Sequence, residues 1–161
     1  MAKQQPIEIF MPPNILKAKV GSVAGGIDMA AIKRAEAAME TLKSEFNDWL
    51  ADDIARLTFT RDGFANSPSE PMRNDLFRAA HDLRGQADTY GYPLVARMAA
   101  SLSKLIDETN GKTTPIPLNL VDAHVAAIQI AFRDKVSVTR DAVAAALAKE
   151  LEARVEEELA A

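Results

Sequence analysis

The 161-residue chain contains no cysteine, which excludes disulfides and thiolate metal sites. Only two histidines are present, His81 and His124, and no HExxH spacing occurs, so a zinc site would need mostly carboxylate ligands. No apolar run is long enough to span a bilayer, and the N-terminus lacks a basic region followed by an apolar core. The expectation is therefore a cytoplasmic protein with no membrane contact. A formal charge of −4 argues against non-specific nucleic-acid binding. The glycines of Gly21-Ser22-Val23-Ala24-Gly25-Gly26 follow neither the GxGxxG order nor a GK[ST] ending, and no strand pattern precedes them, so no nucleotide loop is expected. No GxSxG motif is present either.

Aromatic residues are scarce (6%), and glycine and proline are sparse from residue 28 onward, where alanine is abundant. That composition favours helix. Residues 1–27, with Pro6, Pro12, Pro13 and three glycines, read as a flexible leader. Asp28 is placed to cap a long helix with an apolar stripe of Ile32, Met39, Leu42, Phe46, Leu50, Ile54 and Leu57, fading near Asp62-Gly63. After the loop Asn66–Pro71, a second helix runs from about 71 to 90. Gly91 interrupts it, and Pro93 opens a third that ends near Thr109. A fourth spans roughly Leu118 to Val136. A fifth begins near Asp141, carries Val143, Leu147, Leu151 and Val155, and ends in an acidic tail. The expected fold is all-α: an antiparallel four-helix bundle over 28–137, with an additional C-terminal helix and tail over 138–161.

At about 100° per residue, Leu76, Ala80, Leu83 and Ala87 fall in one arc of the second helix, which must face the core. His81 lies about 140° from Leu76 on this wheel, so it should face solvent. Phe77, Asn74, Arg84, Gly85 and Asp88 share its arc, with Arg78 slightly further round. Residues 71–104 hold five cations (Arg73, Arg78, Arg84, Arg97 and Lys104) against three aspartates, which makes this stretch the one mildly basic region of an acidic chain. A glycine inside a helix costs about 1 kcal/mol relative to alanine. Beside an exposed histidine, Gly85 would repay that cost by letting a partner approach closely. His124 borders the stripe Val121, Val125, Ile128 and Phe132, where a histidine is expected as a packing residue with one nitrogen hydrogen-bonded.

The pattern His81-x-Leu83-Arg84-Gly85-x-Ala87, followed by Gly91, Val95, Ala99 and Leu102, resembles the signature of histidine-containing phosphotransfer (HPt) domains. That signature is H-x-L-K-G with a glycine ten positions after the histidine. His81-Asp82-Leu83-Arg84-Gly85-Gln86 with Tyr90-Gly91-Tyr92-Pro93-Leu94 is similar to the alphaproteobacterial variety, H-D-L-[KR]-G-Q followed by F/Y-G-Y-P-L. The motif match covers about residues 71–106. Two positions depart from the family: Gln86 stands where serine is common. Ser103 stands where a Gln or Glu often bonds the histidine Nδ1.

The resemblance implies a phosphorelay intermediate rather than an enzyme with its own ATP site. His81 would be the phosphoacceptor. Arg84 would steady the phosphoryl oxygens in place of the family's lysine, and Gly85 would give clearance. Phe77, Arg78, Asp88 and Ser103 are expected at the partner surface. The implied partners are response-regulator receiver domains, or a hybrid histidine kinase. The receiver would bring the Mg²⁺, so no metal or cofactor is expected on this chain. The alternative is an HPt-like docking module that binds receiver or kinase domains without carrying phosphate. A monomer is the default expectation, with the fifth helix as the element that could join two copies.

Overall fold

The computed structural model describes residues 28–110, 115–135 and 142–160, and all regular structure within them is α-helix. The helices are α1 (Met29–Asn66), α2 (Glu70–Thr89), α3 (Pro93–Glu108), α4 (Leu118–Arg133) and α5 (Ala142–Ala160). The leader expected over residues 1–27 lies outside the described residues. No described helix is long and apolar enough to cross a membrane. The chain divides into a unit over residues 1–39 and a unit over residues 40–161. In the first, the described residues are the start of α1. Asp28 caps it as expected, its Oδ1 accepting from the backbone N–H of Ala30 and Ala31 at 2.9 and 3.1 Å.

In the second unit, α1 continues to Asn66, three residues beyond the stop expected at Asp62-Gly63. Phe64 is buried there, and its packing outweighs the low helix propensity of Gly63. Ser69 caps α2, with Pro71 in the first turn. At the far end of α2, Tyr92 N–H bonds the Ala87 carbonyl at 2.8 Å, and Gly91 N–H bonds that of Asp88 at 3.0 Å. This paired closure needs a left-handed residue between the helices, and Gly91 supplies it at φ 87°. A Cβ at Gly91 would meet no neighbour, so the requirement is purely conformational. Gly91→Ala is expected to lower unfolding free energy by about 1–2 kcal/mol, read by urea denaturation.

Helix α3 is the most buried element, with Leu94, Val95, Met98, Ala99, Leu102, Leu105 and Ile106 all but inaccessible. It packs against α2, α4 and α5. Arg73 of α2 holds its C-terminus, donating from Nη2 to the Ile106 carbonyl at 2.5 Å and to Thr109 Oγ1 at 3.0 Å. Removing the solvation of a guanidinium lowers the Arg73 pKa, and the nearby Asp107 and Glu70 offset part of that. The second half of α1 is tied to α2 by Arg56–Asp82 (2.9 Å). It is tied to α4 by Arg61–Asp122 (2.7 Å from Nε) and Gln129–Thr58 (2.9 Å). The order of the two α4 pairs, and of Arg56–Asp82 with the Phe46–Tyr90 ring contact for α2, makes α1 antiparallel to both in this unit.

Helix α5 lies on α3 and α4 through Ala148, Leu151 and Val155, all buried. The expected stripe shifts as a result, because Val143 and Leu147 are exposed. The acidic end is not a tail but helix as far as Ala160. Two ion pairs, Arg97–Glu152 and Lys104–Glu156, set α5 running in the same direction as α3.

Candidate functional site

The apolar arc of α2 is placed as the periodicity requires: Leu76, Ala80, Leu83 and Ala87 are each 0% exposed. His81 therefore emerges on the outer face, exposed, as do Arg78, Arg84, Gly85 and Asp88. One turn earlier, the half-buried Phe77 ring sits 5.6 Å from the imidazole at a 33° tilt. Neither ring nitrogen of His81 is hydrogen-bonded to a described residue. At Gly85 an added Cβ would find nothing within 4 Å, so this glycine faces open space and does not serve close packing within the molecule. Gly85→Ala should accordingly stabilise the fold by about 1 kcal/mol, measured by urea denaturation.

His81 and Arg84 form one side of a groove of about 840 Å³, bounded on the others by α3 and α5. The cations expected to surround the histidine divide into two sets. Arg97 holds Glu152 in a two-pronged pair, both contacts at 2.5 Å. That pair holds the Glu152 carboxyl below its ordinary value and raises the Arg97 guanidinium. Lys104 holds Glu156 at 2.5 Å, which raises its ammonium pKa. Arg73 caps α3. Arg78, Arg84 and Lys149 make no ion pair with a described residue; of these, Arg84, one turn after His81, and Lys149 on α5 line the groove.

Ser103 differs from its expected place at the partner surface. It is 4% exposed, and its hydroxyl donates to the Ala100 carbonyl at 2.9 Å, so it lines the groove wall without reaching the imidazole as a donor. Gln86 is turned toward Tyr90, whose hydroxyl donates to its Oε1 at 3.4 Å. Tyr90 in turn stacks on Phe46 with ring centroids 4.7 Å apart.

His124 is fully buried and has both nitrogens engaged, one more than expected. The Leu120 carbonyl, 2.8 Å from Nδ1, can only accept, so Nδ1 carries the proton. Nε2 then accepts from the Ser101 hydroxyl at 3.0 Å. Burial pushes the His124 pKa below 6.5, against the smaller opposing effect of the Leu120 bond. A neutral ring locked at both ends is structural.

Sequence reasoning missed the α5 wall and the pairs that build it. It also missed Asp53, a half-buried carboxyl raised by burial beside the Arg56–Asp82 pair. Among the described residues no cluster of three or more His, Asp or Glu side chains is disposed to hold a metal. No protein-family model, curated protein or solved structure matches the chain.

Proposed function

We propose that this chain is a histidine phosphotransfer protein. In this reading α1–α4 form an HPt-like four-helix bundle, and α5 is an addition laid beside the site. His81 accepts a phosphoryl group from the aspartyl phosphate of a response-regulator receiver domain, or of a hybrid kinase, and passes it to another receiver. The observation that carries the reading is the outer face of α2: an exposed His81, an uncommitted Arg84 and an open Gly85 within one turn.

The chemistry needs little from this chain. The Nε2 lone pair forms the N–P bond as the aspartyl O–P bond breaks, and the carboxylate leaves with the electron pair. Arg84 offers its fork of N–H donors to the phosphoryl oxygens, where negative charge spreads as the group moves. Gly85 leaves room for the receiver surface to bring its aspartate in line. The receiver supplies Mg²⁺ and the acidic pocket, and a cytoplasmic location follows from such partners.

The test is incubation with a ³²P-phosphorylated receiver and Mg²⁺. Acid-labile, alkali-stable label should appear on this chain and then discharge to a second receiver. Receiver binding without label would support the docking module instead. Arg84→Ala should slow labelling by about ten- to a hundredfold with the histidine intact, as expected when a donor to a transferring oxyanion is removed.

A further inference from the structure

We propose, resting on the phosphotransfer reading, that Lys149 of α5 docks the receiver domain by pairing with a carboxylate on the receiver's surface while His81 takes the phosphoryl group. Helices α2 and α5 both pack on α3 and not on each other, so α3 is the floor of the groove and they are its walls. Lys149, Glu152, Ala153 and Glu156 recur at spacings of three and four, so one face of α5 forms the wall across from His81 and Arg84.

Contacts with α3 fix the level of each residue along that floor. Arg73 reaches Ile106 and Thr109, and α2 turns into α3 at Gly91, so Arg84 stands level with Arg97 and His81 with Ala100. On the other wall Glu152 bonds Arg97 and Glu156 bonds Lys104. Lys149, one turn before Glu152, therefore belongs to the Arg84 end.

Charge gives the groove a direction. The Arg97–Glu152 and Lys104–Glu156 pairs cancel within it. What is left is Arg84 and Lys149 at one end, with Asp107 and Glu108 at the other, Glu108 lying 3.9 Å from the already paired Lys104. Lys149 has no carboxylate to turn to on its own helix, because Glu150 holds Arg154 as Glu152 holds Arg97. A partner seated in the groove thus places its acidic side at the Arg84–Lys149 end, and a receiver with an acidic pocket has such a side. The two cations divide the work. Arg84, on the helix of His81, meets the phosphoryl group, whereas Lys149, across the width of α3, meets the body of the partner.

The test measures initial labelling rates against the concentration of phosphorylated receiver, using purified receiver domains from the same organism. Lys149→Glu should raise the half-saturating concentration about tenfold and leave the saturated rate unchanged, the reverse of Arg84→Ala. Lys149→Arg should behave as the parent, and so should Lys135→Gln, just past α4 and outside the groove. Titration calorimetry with unphosphorylated receiver reads the same contact without transfer: Lys149→Glu should weaken binding about tenfold, and salt should weaken the parent more steeply than the variant. The urea midpoint should not move, since Lys149 is exposed. A fall in the saturated rate alone, or a Kd indifferent to Lys149→Glu, would overturn the proposal while leaving phosphotransfer intact. Binding that depends on Lys149 without label on the chain would uphold the dock and remove the transfer. A parent chain that neither binds a receiver nor takes label would overturn both.

Discussion

Replacing His81 with alanine is expected to abolish phosphoryl acceptance, by at least about a thousandfold, because the nucleophile itself is removed. The same substitution should leave the unfolding free energy within about 0.5 kcal/mol of the parent, as for a surface change that breaks no hydrogen bond. The imidazole is exposed, with the tilted Phe77 ring beside it. The pairing of outcomes is the informative part. A large loss of stability would mean that His81 is packed, and the functional argument would lose its basis. The check is ³²P transfer from a phosphorylated receiver, with urea denaturation on the same preparations.

His124→Ala should give the opposite pattern. Truncation leaves a cavity in the core and removes the acceptor of the Ser101 hydroxyl. Together these should cost about 2–4 kcal/mol. Transfer measured well below the melting temperature should change little. The histidine also predicts a pH dependence. Its folded pKa lies below the ordinary 6.5, so the unfolded chain takes up the proton first as pH falls. Its stabilisation is complete above 6.5 and is lost as pH drops from there through the lowered folded value. Glu152, held below its ordinary 4.5 by Arg97, gives a separate loss at more acidic pH. His124→Gln should remove the first decline and keep the second, read from urea midpoints across pH.

Local periodicity made much of the site legible. In α2, the arc of Leu76, Ala80, Leu83 and Ala87 fixes the helix's rotation, and with it the outward direction of His81, Arg84 and Gly85. Helix starts were legible because Asp28 and Pro93 act through neighbours within one turn. The second boundary of α1 was not, since Phe64 holds it through burial rather than propensity. The two groups of cations were also hidden. Arg97 and Lys104 pair with Glu152 and Glu156, more than fifty residues further along, and no pattern within a helix announces such a contact. Ser103 illustrates the same limit. The resemblance put Ser103 at the partner surface, yet it is buried, and a serine on a helix readily turns its proton to a carbonyl one turn back, as it does to Ala100.

The most direct test of the account is to locate the phosphate. After transfer from a phosphorylated receiver, trypsin should release the peptide Ala79–Arg84, and mass spectrometry under alkaline conditions should find one phosphoryl group on it, at His81. Phosphate carried at His124 or on any other peptide, or a chain that stays unmodified while the receiver loses its label only to water, would contradict it.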